Sequence, residues 1–251
     1  MEWLALPPGV LAYAALAVFA AAFVRGYSGF GSSMIWVSSL AVVLPPAEVV
    51  PMVLLFEVAA SLGLLPAVWR EVQWRSLRWI VLGTLLATPA GVYALANLPA
   101  NAIRLAIAAV VIVATLLIWR GRSLHSGSGA LPAFATGLGA GLLNGSTGAG
   151  GPPVILFYFG SDAVVAVGRA SIIAYFLASD ALGTGFLAAQ GLVTAEVLLR
   201  TLVALPLIGL GIWIGHRGFR RGDPARFKRL VLLLLIALSL ALVARAFWVE
   251  S

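Results

Sequence analysis

Residues 144–159 read NGSTGAGGPPVILFYF, a polar, glycine-rich loop that leads through two prolines into an apolar segment. A related stretch, VRGYSGFGSS at residues 24–33, also follows one apolar segment and precedes another. Three glycines recur at a constant spacing of 119 positions: Gly26, Gly29 and Gly31 in the first loop, and Gly145, Gly148 and Gly150 in the second. The recurrence indicates a chain built from two related halves.

The composition places both loops in a membrane protein. Of the 251 residues, 62% are hydrophobic and 10% are charged, and the mean hydropathy is +1.06, whereas soluble domains are about 45–50% apolar and about 25% charged. Such a chain cannot cover itself with polar surface in water, so lipid is the solvent that fits it. The formal net charge of +7 is spread between apolar runs and forms no single basic face, which argues against nucleic-acid binding.

A helix needs about 20 apolar residues to cross a bilayer, and six stretches have that character. They cover residues 47–69, 77–96, 102–119, 170–189, 197–214 and 230–248. Two longer stretches, residues 10–44 and 131–160, are interrupted near the middle by the glycine-rich loops. We therefore predict an all-α polytopic membrane protein with six full transmembrane helices and two broken segments.

The basic residues decide how often each broken segment crosses, because Lys and Arg concentrate on the cytoplasmic side of short loops. If each segment is a re-entrant hairpin, twelve of the sixteen basic residues share one face, whereas single crossings divide them between both faces. The twelve are Arg70, Arg75, Arg78, Arg120, Arg122, Arg169, Arg217, Arg220, Arg221, Arg226, Lys228 and Arg229. Hairpins place both termini on the non-cytoplasmic side of the inner (cytoplasmic) membrane.

Three full crossings in each half are an odd number, so the second half must enter the membrane upside down relative to the first. This predicts two inverted-topology repeats, each with one broken, re-entrant helical hairpin and three full helices, as in many secondary transporters. We place the first repeat at residues 1–120 and the second at residues 131–251. A Gly/Ser-rich linker, residues 121–130, joins them.

The breaks predict an enclosed polar site near the midplane, because non-helical backbone at membrane depth survives only inside protein or beside a water-filled cavity. The N–H groups and positive dipole end of each new helix favour an anion. Arg25 precedes the first break, where an unpaired guanidinium costs at least ~2.5 kcal/mol on insertion scales. The predicted substrate-binding residues are Arg25, Gly26, Ser28, Gly29, Gly31 and Ser32 in the first half, and Asn144, Ser146, Thr147, Gly148, Gly150 and Gly151 in the second.

Charged residues inside other spans are candidates for coupling or gating. Glu57 and Asp180 lie near the centres of two predicted helices, and aligning the loops places Ser61 opposite Asp180. A buried carboxyl group can carry a proton, or it can neutralise Arg25 or Arg169. Arg169 is itself a gating candidate, unless it only reaches the headgroups. The partner of Arg25 stays open among these acids, a carbonyl and the substrate.

Enzyme and cofactor chemistry are not indicated. The sequence contains no Walker, HExxH or G-x-S-x-G motif, no cysteine, and two histidines without a partner at ligand spacing. We expect no enzymatic activity, no metal and no cofactor. The expected partners are a small anion and the lipid bilayer, without nucleic acid, and a homodimer stays open.

Together, the two loops and the duplicated arrangement around them resemble the TauE/SafE family of sulfite exporters and related membrane permeases. The resemblance spans nearly the whole chain and is more specific at NGSTGAGGPPVILFYF. The first loop departs from the glycine-richer family version at Ser32 and Ser33. The resemblance implies export of sulfite, an organosulfonate or another small oxyanion, driven by a gradient rather than by ATP.

Two other functions remain as alternatives. Glycine and serine also permit close helix packing in membranes, so the chain could be a membrane scaffold whose loops only pack helices. It could also transport a cation, or another small solute, with Glu57 and Asp180.

Overall fold

The structure, a computed structural model, describes residues 7–120, 129–159, 165–219 and 224–248. All regular structure in these ranges is helical, which confirms the predicted all-α membrane class. The helices are α1 Pro8–Ser28, α2 Ser32–Val43, α3 Pro46–Val68, α4 Trp74–Asn97, α5 Ala100–Trp119, α6 Ala130–Thr147, α7 Gly151–Phe159, α8 Val165–Ala189, α9 Ala195–Phe219 and α10 Pro224–Trp248, with a 3-10 turn Trp69–Glu71 after α3. The predicted linker falls almost wholly on residues 121–128, outside the described residues.

Prolines mark several helix starts. α1 begins at Pro8 and α3 at Pro46, and Pro99 directly precedes α5. Proline suits the first turn because the N–H group that it lacks would have no partner inside the helix. The local sequence therefore favours helix starts at these positions.

Each of the six predicted spans coincides with one helix that is long and apolar enough to cross a membrane: α3, α4, α5, α8, α9 and α10. A seventh candidate span, Pro8–Tyr27, lies in the first broken segment, which was expected to be a hairpin of two shorter helices and not to contain a helix of full membrane length. α1 stays helical for 21 residues, and only the 12 residues of α2 follow the break. α1 reaches this length because no helix-breaking residue interrupts the apolar run before Gly26, and the break still falls within the predicted glycine-rich loop.

The helices pack in pairs that follow the same plan in both halves. α1 packs most extensively on α9, and α4 packs most extensively on α6. α3 contacts α8, and α5 contacts α10. When α1 to α5 are exchanged in order with α6 to α10, the first two pairs convert into each other and the last two remain unchanged.

Close glycine contacts fix the relative direction of α4 and α6. Gly83 lies against the carbonyl of Phe134, and Gly91, two turns later, lies against the carbonyl of Leu142. Because both residue numbers rise together, the two helices run in the same direction. Glycine at these positions permits the close approach of two backbones that is common in membranes.

The α1–α9 pair repeats this arrangement. Gly211 lies against the carbonyl of Phe19, and Gly215 lies against the carbonyl of Phe23, so these helices also run in the same direction. Phe23 lies 119 positions before Leu142, the residue that Gly91 contacts in the other pair. The two pairs thus use the same position on α1 and on α6 in one of their closest helix contacts.

The exterior of the described part is apolar, as a lipid-facing surface requires. Large hydrophobic side chains of α9 and α10 are exposed, among them Leu198, Leu202, Leu210, Trp213, Leu233 and Leu240. The short helix α2 lies inside, against α1, α3 and α10. Ten of its twelve residues, Ser32 to Ala41, are buried, so the first glycine break opens into the protein interior.

Candidate functional site

The first break separates α1 from α2. Gly29 follows α1 in the left-handed region, with φ = 83°, and its N–H group donates to the carbonyl of Arg25 at 2.8 Å. Gly31, with φ = 87°, directly precedes α2. Residues with a side chain rarely adopt these angles. The two glycines therefore let the chain leave one helix and begin the next within three residues.

The helix before the second break ends in the same way as α1. Gly148 follows α6 with φ = 67°, and its N–H group donates to the carbonyl of Asn144 at 3.0 Å. α7 begins at Gly151. The predicted interruption of both helices is confirmed, and each interruption starts at the glycine that the repeat marked.

Arg25 lies at the centre of a buried polar cluster. Its side chain has no solvent exposure, and Nη2 donates to Ser61 Oγ at 2.8 Å. The same nitrogen lies 3.1 Å from Glu57 Oε2, while Ser32 Oγ donates to the other oxygen of that carboxylate. Of the open partners for Arg25, the structure selects Glu57. This ion pair favours the neutralising interpretation of Glu57.

Two donor atoms of Arg25 remain available. Within the described part of the chain, Nε and Nη1 have no hydrogen-bond partner. The guanidinium carbon lies 4.8 Å from the centre of the Phe176 ring, a distance that allows a favourable cation–π contact. A buried guanidinium with unused N–H groups can bind an anionic oxygen.

A second buried polar cluster joins α6 and α8. Asn144 Nδ2 donates to Asp180 Oδ1 at 2.9 Å and to the Ser179 carbonyl at 3.3 Å. Asp180 is 1% exposed, and among the described residues it forms no ion pair. Asp180 is thus held by hydrogen bonds, in contrast to Glu57.

The two clusters occupy equivalent positions of the two halves. Arg25 and Ser61 lie 119 positions before Asn144 and Asp180, and each pair forms a hydrogen bond. Equivalent backbone positions therefore hold an arginine beside a serine in the first half and an asparagine beside an aspartate in the second.

A second equivalence places an aromatic ring between the breaks. The contacting pair Ser32 and Glu57 corresponds to Gly151 and Phe176. A ring carbon of Phe176 lies 2.7 Å from the position that a Cβ on Gly151 would take. Phe176 thus touches the start of α7 while its ring lies against Arg25, which brings both breaks close to one side chain.

Several predicted binding residues serve packing or helix structure. The hydroxyl groups of Ser146 and Thr147 donate to carbonyls of their own helix, at 2.7 Å each. Gly26 packs on the backbone of Ile212 in α9, and Gly150 packs on Asn144. The side chain of Ser28 lies outside the described residues. For the other four positions the geometry favours the packing interpretation.

Three residues of the clusters were absent from the predicted set: Ser61, Phe176 and Ser179. Extending the alignment of the halves beyond the glycines would have found two of them, since it sets Ser61 opposite Asp180 and Phe176 opposite Glu57. Ser179 has no such signal.

Comparison with known proteins agrees with this geometry. The sequence profile of the family described as "Sulfite exporter TauE/SafE" matches residues 14–242, which include both breaks and both clusters. The chain belongs to the TauE/SafE sulfite exporter family. It is therefore a multi-pass membrane transport protein and not an enzyme.

One relative within the TauE/SafE family comes from Cupriavidus necator and is named "Probable sulfite/organosulfonate exporter TauE". It is 29% identical over 238 residues, which cover 92% of this chain and 93% of that protein. No solved structure matches the chain significantly.

Proposed function

We propose that this TauE/SafE protein exports a small sulfur-containing oxyanion, sulfite or an organosulfonate, across the inner membrane without ATP. The family and the name of the Cupriavidus relative support the substrate class. The observation that carries the proposal is the fully buried Arg25, which keeps two unused donor atoms beside a helix break.

The anion would lie at the first break, against Arg25 and the start of α2. No side chain caps the N-terminus of α2, and the first residues of this helix, Ser32 and Ser33, are buried. Free backbone N–H groups and the helix dipole favour negative charge at such a terminus. The start of α7 would lie nearby, against the Phe176 ring.

We further propose that the halves are inverted-topology repeats. α3 and its counterpart α8 run in opposite directions, because Leu54 lies against Gly183 whereas Gln73, beyond the end of α3, bonds to Ser171. The parallel pairs α1–α9 and α4–α6 agree with this arrangement. Alternating access would then come from rocking one repeat against the other around the fixed site.

The membrane potential supplies a driving force for such an exporter. Moving one elementary charge across 100 mV is worth about 2.3 kcal/mol, and a negative cell interior favours outward movement of an anion. Export therefore needs neither ATP nor a second ion, although Asp180 remains a candidate for proton coupling.

The cation and scaffold alternatives have weaker support. Glu57 is already neutralised by Arg25 at 3.1 Å, which reduces its capacity to hold a cation. Packing accounts for glycines such as Gly26, but it does not account for a buried arginine with unused donors.

The proposal is tested by flux from proteoliposomes loaded with sulfite. We expect efflux that needs the protein, proceeds without ATP and accelerates when valinomycin and a potassium gradient make the interior negative. Efflux no faster than from protein-free liposomes would contradict anion transport. Flux of a divalent cation without flux of sulfite would instead support the cation alternative.

A further inference from the structure

Arg169 of the second half lies directly on the glycine break of the first half. Its Nε atom is 2.6 Å, and its Cδ and Cγ atoms are 3.3 Å, from the position that a Cβ on Gly29 would take. The missing side chain of Gly29 is therefore what leaves room for Arg169 on the loop. This contact reaches from α8 to the end of α1, between the two halves.

The equivalent contact in the other half is apolar. Gly148 corresponds to Gly29, and the position that a Cβ on Gly148 would take lies 3.6 Å from side-chain carbons of Val50 and Leu54. Val50 lies 119 positions before Arg169. A valine therefore fills the equivalent position beside the second glycine break. Packing against the break does not by itself require an arginine at position 169.

The charge of Arg169 is compensated differently from that of Arg25. Glu57 neutralises Arg25 within an ion pair, whereas in the described ranges Arg169 joins no ion pair and its buried Nε atom has no hydrogen-bond partner. Arg169 also lies close enough to Arg25 for the two positive charges to repel each other, while Glu71 attracts it without forming an ion pair. An anion between two guanidinium groups would relieve that repulsion.

We propose that Arg169 is a second ligand of the transported anion and supplies a positive charge that no ion pair neutralises among the described residues. This inference rests on the proposed function and assigns the anion to the first break, with Arg25 and Arg169 on it. The planar guanidinium can present two parallel N–H groups to an oxyanion, which the ammonium group of lysine cannot do. Small oxyanions such as sulfonates and sulfite fit this chemistry.

The test measures binding of sulfite and of sulfoacetate to the purified protein, from the rise of its melting temperature with anion concentration at constant ionic strength. We expect Arg169→Gln to weaken binding at least about tenfold, as for a lost charged hydrogen bond. Arg169→Lys should recover only part of the affinity. Arg78→Gln, which removes an exposed arginine of α4, is the matched control for general electrostatics.

A second variant tests the role of Gly29. Gly29→Ala should displace Arg169 and weaken binding of both anions. Gly191→Ala is the matched control, since Gly191 also has a positive φ of 73° but has open space around its Cβ position. If Gly29→Ala does not fold, Arg169→Gln alone decides.

Binding by Arg169→Gln within twofold of wild type would overturn this inference and leave the proposed function intact. Equal weakening by Arg169→Gln and Arg78→Gln would also overturn it, because the effect would then be a general one of surface charge. If neither anion stabilises the wild-type protein, the proposed function itself fails.

Discussion

Arg25 survives inside an apolar helix because its charge is paired. Glu57 lies 3.1 Å away, and Ser61 and Ser32 satisfy further polar atoms of the cluster. Removing one partner of a buried ion pair leaves the other charge uncompensated, which costs about 3–5 kcal/mol. Replacing both partners by neutral groups of similar shape avoids that cost.

The first prediction concerns this pair. Arg25→Gln and Glu57→Gln should each lower the free energy of unfolding by about 3 kcal/mol or more, and the double variant should lose less than either single variant. Unfolding in detergent, followed by circular dichroism, measures all four proteins. Additive losses would show that the two side chains do not compensate each other.

At the scale of single residues, the sequence predicted the presence of the site better than its contacts. A lone arginine in an apolar run and two intramembrane acids were visible without a structure. Which acid pairs with Arg25 depends on helix rotation in the folded protein, and no sequence signal distinguished Glu57 from Asp180. The sequence also did not show that the hydroxyl groups of Ser146 and Thr147 donate to carbonyls of their own helix, as serine and threonine can.

Among the helices, the α4–α6 contact depends on glycine. Gly141 lies against the backbone of Thr84, with the Thr84 Cα 2.7 Å from the position that a Cβ would take. Gly139, two residues earlier on the same helix, has no atom within 4 Å of its Cβ position. One helix thus offers both a packed and an open glycine.

The second prediction compares these two glycines. Gly141→Leu should push α4 and α6 apart and lower the melting temperature, by an overpacking cost of about 1–3 kcal/mol or more. Gly139→Leu, the matched control, should leave it nearly unchanged. Thermal unfolding of the two variants in the same detergent tests this. Equal melting temperatures would mean that the close approach of α4 and α6 is not needed for stability.

For the helices, hydropathy was sufficient to predict the six full spans, and the glycine spacing was sufficient to place both breaks. The full membrane length of α1 was not predicted, because hydropathy locates an apolar run but does not report how far its helix continues. Pro8 and the uninterrupted run up to Arg25 let α1 reach a full membrane length before Gly29.

For the whole molecule, the inverted arrangement makes a topological prediction. The sequence contains no cysteine, so single substitutions can be labelled specifically. Gln73, between α3 and α4, should lie on the cytoplasmic face, and Gln190, after α8, on the opposite face; both positions are exposed.

The measurement is labelling of Gln73→Cys and Gln190→Cys in intact cells with a maleimide that does not cross the membrane. We expect rapid labelling at position 190, and labelling at position 73 only after the cells are opened. Labelling of both positions from outside would contradict the predicted topology. Inverted repeats require that the chain between positions 73 and 190 crosses the membrane an odd number of times, which places them on opposite faces.

The central claim is that Arg25 binds the transported anion at the first helix break. Its most direct test is equilibrium binding of radiolabelled sulfite to the purified Arg25→Gln/Glu57→Gln double variant. This variant keeps the net charge of the cluster and, by the argument above, its fold. We predict that its sulfite affinity falls at least about tenfold below wild type, since the charged donors are lost. A folded double variant that binds sulfite as tightly as wild type would contradict the claim.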